Sequence, residues 1–338
     1  MVLKRSNCIK NEQIFDPIAV IKKIDDEQRN RLTKILYEHY KKKLPPIFKH
    51  KSILNKVTLK EYFPGLTKTS IKELIKLVEL DKLPEGIRIS TMTITCKIGT
   101  KINLENIARF IDLTEDRILS VKYGQHPLNN RSIMKIKKKT TSKKKKKNFY
   151  NEATIKIKPI DNNPINIKLF KNESLQLTGV KSMDNFCEVL SKLFFELKKE
   201  KYVIDHDKLK LKPFVEDVKK LKLHVNDVKI CMINTNFKIK NEIDRDLLYE
   251  KLQHDGVACT YEPCLHACVN VKYQYSAQKK VSIFVFKSGA IIITGANTTD
   301  HVIKAFNFIF DKLQVYGSDI MLASTEELFK CKELKKYL

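Results

Sequence analysis

The feature that most constrains this chain is that it contains two copies of one pattern. Laying residues 150–184 on 266–300 without a gap, at an offset of 116, matches Lys156 with Lys272, Ile167 with Ile283 and Phe170-Lys171 with Phe286-Lys287. The same register brings Thr178-Gly179 onto Thr294-Gly295 and Asp184 onto Asp300. Upstream, residues 89–107 fall on 230–248 at an offset of 141, matching Lys97-Ile98 with Lys238-Ile239 and Ile102 with Ile243. The offsets differ by 25, so the first copy carries an insertion of that size between Ile107 and Tyr150. A repeat of this kind fixes architecture before any single motif does, because each copy must be one supersecondary unit.

Each copy reads as strand, short helix, three strands and long helix, which predicts an α+β fold. In the second copy residues 228–239 form the first strand and 245–254 the short helix. Residues 266–274, 281–286 and 290–294 form a meander with Ser288-Gly289 as its tight turn. Thr299-Asp300 can cap a helix in which Val302, Phe306, Ile309, Phe310 and Leu313 recur at helical spacing. Val189, Leu190, Leu193, Phe194 and Leu197 repeat that stripe in the first copy. The predicted domains are a helical N-terminal extension over 1–83, with helical patterns at 17–43 and 70–80, then a first repeat over 84–202. A linker over 203–226, a second repeat over 227–317 and a tail over 318–338 follow. The insertion, about 125–148, contains a lysine-rich run from Lys135 to Lys147 and reads as a mobile loop.

Strands have two faces, and here the second carries the functional argument. Ile291 and Ile293 alternate with Ile292 and Thr294, so both faces are apolar or small, while the long helices can cover only one. An antiparallel sheet with an uncovered greasy face marks a binding surface. The partner is suggested by charge. Lys plus Arg outnumber Asp plus Glu by 65 to 39, a net +26, and such an excess favours a polyanion through counterion release and steering. Nucleic acid is the first candidate and a membrane surface the second, although the abundance of Lys, Ile and Asn would also follow from an AT-rich coding sequence.

No apolar run approaches the roughly 20 residues needed to span a bilayer, and residues 1–10 lack the apolar segment of a signal peptide. The expected location is intracellular, with the eight cysteines as reduced thiols. Cys264, His266 and Cys268 at i, i+2 and i+4 would sit about 6.6 Å apart along a strand, too spread to share a tetrahedral zinc ion, even with Cys259 nearby. No phosphate-cradling glycine loop, paired-carboxylate motif or nucleophile elbow is present. The chain therefore reads as a binding protein without catalytic residues, metal or cofactor.

Three strings carry a family resemblance: Ile89-Ser90-Thr91-Met92-Thr93-Ile94-Thr95-Cys96-Lys97-Ile98, Tyr261-Glu262-Pro263, and Ile283-Phe284-Val285-Phe286-Lys287-Ser288-Gly289 followed by Ile293-Thr294-Gly295-Ala296. They resemble the TATA-box-binding protein family, from about Pro84 to Gly317. The resemblance implies a saddle: two pseudo-symmetric repeats forming a curved antiparallel sheet of ten strands, with four helices on the convex side. The concave face would enter the DNA minor groove. Two aromatic residues per half would wedge between base steps, and unstacking would be offset by contact with the bent duplex.

Carried over by position, the resemblance implies wedges at Phe286 and Phe170, with Phe284 as the apolar neighbour of the first. Tyr150 and His266 stand where the family has the outer wedge. Thr178 and Thr294 match base-contacting threonines, Ile292 an apolar groove-floor residue, and Lys156 and Lys272 basic residues near phosphates. Gln176 stands opposite Ile292 in the repeat and Lys168 opposite Phe284, so the first half is the more polar. Alternation along the first strands places Ile87, Ile89, Thr91 and Thr93 on the groove face in one copy and Val228, Ile230, Met232 and Asn234 in the other. Glu262 belongs to the stirrup loop that would meet the next initiation factor, while the nearby acidic position is Cys264 here.

The implied function is a promoter-binding initiation factor that acts as a monomer on double-stranded DNA and recruits further initiation factors and RNA polymerase. Its place would be the nucleus or, if the source is a large DNA virus, as the composition would suit, the virus factory of the host cytoplasm and the virion. Nonspecific DNA packaging is the alternative that the charge keeps open. A DNA glycosylase of similar fold would need a following helix-hairpin-helix domain, and only 21 residues follow Gly317.

Overall fold

The computed structural model describes residues 73–74, 76–78, 82–134, 151–160, 163–205 and 208–322. Tyr150, the lysine run from Lys135 to Lys147, the helical pattern at 17–43 and residues 323–338 lie outside them. Within the pattern at 70–80, Glu73, Leu74 and Lys76 are helical.

The first copy comprises β1 (Arg88–Lys97), α1 (Leu104–Phe110), β2 (Ile118–Tyr123), β3 (Asn130–Ser132), β4 (Glu152–Ile157), β5 (Ile165–Phe170), β6 (Ser174–Val180) and α2 (Met183–Leu197). A hairpin of β7 (Glu200–Asp205) and β8 (Lys208–Pro213) follows, so the interval expected to be a linker contains ordered structure of its own. The second copy comprises β9 (Lys229–Lys238), β10 (Glu242–Ile243), α3 (Arg245–His254), β11 (Cys259–Thr260), β12 (Cys268–Ser276), β13 (Lys279–Phe286), β14 (Ala290–Ala296), α4 (Thr299–Ile320) and β15 (Met321–Leu322).

The two copies join into one antiparallel sheet in the order β11-β12-β13-β14-β9-β1-β6-β5-β4-β2-β3. The midline is the β9–β1 pair, and the order reads alike outward from it on both sides until β3, an extra edge strand supplied by the insertion. Among the described residues the sheet thus has eleven strands where ten were expected.

Local chemistry repeats with the fold. Asn103 and Asp244, 141 apart, cap α1 and α3 by accepting backbone N–H bonds at their first turns. Ser182 and Thr298, 116 apart, do the same for α2 and α4. The cap of α4 is therefore Thr298, one residue before the expected Thr299, which is already helical.

The core lies between the sheet and the long helices. Ile155, Ile167, Leu169 and Leu177 in the first half, and Val271, Ile283, Ile291 and Ile293 in the second, are fully buried. Each such side chain contributes about 1.5–3 kcal/mol by leaving water. Against them pack Val189, Leu190, Leu193, Phe194 and Leu197 of α2 and Val302, Ile309 and Leu313 of α4, all buried as their spacing predicts. Phe306 and Phe310 differ: they stack on each other at 5.4 Å, Phe306 meets Phe237 edge-on at 5.0 Å, and Phe310 stays exposed.

Candidate nucleic-acid interface

Strict alternation of burial defines the second face of the sheet. Along β13, Val281, Ile283 and Val285 are fully buried while Ser282, Phe284 and Phe286 between them are half-exposed. β5 repeats this, with Ile165, Ile167 and Leu169 buried and Asn166, Lys168 and Phe170 half-exposed. Pairing brings the predicted contact residues together with the same register in each half. Phe170 lies opposite Glu152 and Phe286 opposite Cys268; Lys168 lies opposite Thr154 and Phe284 opposite Asn270. Gln176 and Thr178 pair with Lys168 and Asn166, as Ile292 and Thr294 pair with Phe284 and Ser282.

Polar side chains on this face are tied to one another. Lys272 Nζ donates to Ser282 Oγ at 2.7 Å, and Lys156 holds the matching place opposite Asn166. Lys168 Nζ lies 3.0 Å from Glu152 Oε2, an ion pair beside Phe170 that has no counterpart in the second half, where Cys268 replaces Glu152. At the midline Thr294 Oγ1 donates to Asn234 Oδ1 at 2.5 Å, and Thr93, the repeat equivalent of Asn234, faces Thr178.

The first strands correct the sequence reading. Thr91 and Met232 lie on the open face, paired with Asn234 and Thr93. Ile89 and Ile230 do not: Ile89 pairs with the buried Thr235 and Ile230 with the buried Ile94, which puts both on the helix side. The reason is a β-bulge in each strand, at Ser90 and at Cys231, which are 141 apart; an extra residue reverses the side-chain alternation beyond it. The reversal brings exposed Arg88 and Lys229, also 141 apart, onto the open face opposite Asn236 and Thr95. Sequence reading missed both, although the offset already paired two basic residues there. The bulged Cys231 Sγ lies 3.5 Å from Thr95 Oγ1, so this thiol too borders the open face.

His266 is not on a strand. β12 begins at Cys268, and residues 261–267 form a loop in which the Glu262 carbonyl accepts from the N–H groups of Leu265 (2.9 Å) and His266 (2.8 Å). The strand spacing argued for Cys264, His266 and Cys268 therefore does not apply, although among the described residues no cluster of metal-ligating side chains forms. The loop is pinned at its base: Arg245 Nη1 donates to Ala267 O at 2.7 Å, and its guanidinium lies 5.4 Å from the centre of the Tyr261 ring. Glu262, Cys264, Leu265 and His266 are exposed on that tethered turn, Leu265 at 71%. Burial pushes the Cys268 thiol up, with Arg245 pulling it partly back.

Residues 227–316, the second repeat, match the family described as "Transcription factor TFIID (or TATA-binding protein, TBP)". The chain is 41% identical over 269 residues to the "TATA-box-binding protein-like" protein of Acanthamoeba polyphaga mimivirus, an alignment covering 75% of this chain and 71% of that one. Among solved structures, Methanococcus jannaschii TBP aligns with 68% of this chain and 99% of its own length, at 18% identity and a TM-score of 0.42. By its repeat, its sheet and its 41% identity to the mimivirus protein, the chain belongs to the TATA-box-binding protein family.

Proposed function

We propose that the chain binds duplex DNA in the minor groove through the open face of its sheet, bends it with Phe170 and Phe286, and serves as a promoter-recognition factor at the start of transcription. Members of the family are not enzymes. The observation that carries this reading is the equivalence of Phe170 and Phe286: repeat-matched residues, half-buried at the same register, on the sheet face that no long helix among the described residues covers. A large aromatic ring left partly in water at two matched positions gains by stacking between base steps, and a few kcal/mol of unstacking per step is offset by wider contact. Flexible TA steps lower the bending cost. His266, on its exposed turn, is the outer wedge of the second half, and Tyr150 that of the first.

Thr178, Thr294, Thr91, Met232, Gln176, Lys168, Phe284 and Ile292 are proposed as the groove contacts, with Lys156, Lys272, Arg88 and Lys229 serving phosphates. The exposed Glu262 turn is a docking point for a following initiation factor, which in turn recruits RNA polymerase; the protein acts as a monomer on DNA. The division into an N-terminal extension, two repeats and a C-terminal tail is part of this proposal, with the β7–β8 hairpin lying across the expected limit between the first repeat and the linker. Nonspecific DNA packaging is the second reading, favoured by the net charge of +26.

Fluorescence-monitored bending separates the two. The intact protein is expected to bend a duplex containing a TATA-like run more than one lacking it, and Phe286→Ala to lose most of the bend with roughly ten-fold weaker binding. Equal affinity for both duplexes without bending would favour packaging. Charge contributes separately: replacing Arg88 and Lys229 by Gln is expected to reduce the log–log salt slope of binding by about 0.9 for each phosphate no longer neutralised, across all sequences. An unchanged slope would remove them from the interface.

A further inference from the structure

The two halves of the open face differ in a way that the minor groove can read. Resting on the minor-groove reading above, we propose that the chain recognises a composite site: the second half demands A·T pairs, while the first accepts G·C pairs, with Gln176 receiving the guanine amine.

Consider one row of side chains crossing four strands in each half. In the first half it runs Thr95, Gln176, Lys168, Thr154. In the second, at identical register, it runs Asn236, Ile292, Phe284, Asn270. The outer members are short and polar in both rows, so the difference falls on the central pair alone. The adjoining row supplies a control, being polar in both halves: Thr178, Asn166 and Lys156 against Thr294, Ser282 and Lys272.

Every base pair offers acceptors in the minor groove, and only a pair containing guanine adds a donor, its N2 amine. Under Ile292 and Phe284 that amine would lose water and find no acceptor, an unsatisfied donor that weakens binding by about ten- to a hundred-fold. Gln176 carries both a carbonyl acceptor and amide donors, so it satisfies the guanine amine or, rotated, the acceptors of an A·T pair. Glu152 adds an acceptor beside Phe170, and its charge is offset by Lys168 at 3.0 Å. The corresponding place in the second half is Cys268, a weak acceptor.

Because the halves are pseudo-symmetric, the protein can turn round on a site and meet a single G·C half with its tolerant side. Three duplexes of one core length therefore test the proposal: A·T throughout, a G·C pair in one half, and a G·C pair in both. Affinities for the first two are expected within about three-fold, with the third weaker by at least ten-fold. Gln176→Ile combined with Lys168→Phe should make the one-sided duplex as poor as the two-sided one. Ile292→Gln combined with Phe284→Lys should restore binding to the two-sided duplex. Wild-type protein that bends all three duplexes with equal affinity, or that rejects a single G·C half, would overturn the composite site and leave minor-groove binding intact. Failure to bend any of them would overturn the minor-groove reading and the composite site with it.

Discussion

Gly289→Ala is expected to destabilise the protein by about 3 kcal/mol or more, one of the largest losses available from adding a single methyl group. Gly289 closes the β13–β14 turn with φ at +75°, a conformation that costs an L-residue about 1–2 kcal/mol. Sterics add to this. A Cβ there would sit 2.4 Å from the Asn241 carbonyl oxygen and 2.8 Å from that of Ile239, both backbone atoms that cannot swing aside as a side chain would. The same turn donates from Gly289 N–H to the Phe286 carbonyl and accepts from Ile239 N–H, each at 3.0 Å, so relief in one place breaks the anchoring in another.

The first half supplies the control. Its equivalent residue is Glu173, at φ 69°, the only non-glycine with positive φ among the described residues, and its carbonyl accepts from Ile98 N–H as Gly289 accepts from Ile239 N–H. Glu173→Gly is therefore expected to stabilise by about 1 kcal/mol, opposite in sign to the change at its counterpart. Urea and thermal melts of the two variants check this; a core of this size should lose about 6–12 °C in Gly289→Ala. A Gly289→Ala protein as stable as wild type would mean that the turn relaxes without cost.

How much of this was legible beforehand depends on what leaves a periodic trace. The repeat, the meander strands, α3 and the buried stripe of α2 all follow from spacing, and Phe170 and Phe286 could be assigned to one face because strand alternation is strict. The bulges at Ser90 and Cys231 have no such trace. Neither residue disturbs the polar–apolar pattern, yet each reverses the face of what precedes it, so Ile89 and Ile230 exchange roles with Arg88 and Lys229. The placement of His266 on a strand failed for a related reason: offset alone cannot show that the chain is still turning through Glu262 to His266 before β12 begins. The β7–β8 hairpin was invisible because alternating Lys and Leu, as in Lys208 to Lys212, reads as a charged connection when no second copy supports it. The repeat thus carried strand order and the alternation beyond the bulges, but a bulge present at the same place in both copies leaves the match intact and hides the change of face.

The same asymmetry predicts where the first half is vulnerable. Lys192→Met is expected to cost about 3–5 kcal/mol, because it would strand a carboxylate inside the protein. Lys192 and Glu188 lie on α2 with side chains 3% and 1% exposed, 2.8 Å apart, and together they fasten the connection after β4. Lys192 Nζ donates to the Lys158 carbonyl at 2.7 Å, and Glu188 Oε1 accepts from Ile160 N–H at 2.9 Å. Adding Glu188→Gln to Lys192→Met removes the uncompensated charge while leaving an acceptor for Ile160, and should recover most of the loss in denaturant melts. A single variant costing under 1 kcal/mol, or a double variant no better than the single, would mean that water reaches this pair. In the second half the Lys192 position is Phe308, which packs its ring 4.9 Å from Tyr273 on β12, so the same helix-to-sheet junction is apolar there. A ring stack is indifferent to the loss of a proton or an ion partner, whereas the buried pair is not. Destabilisation in Lys192→Met should therefore be felt first along β4 and β5, loosening Phe170 and the Glu152–Lys168 pair, while Phe286 and Ile292 keep their places and the A·T-demanding half of the interface stays intact.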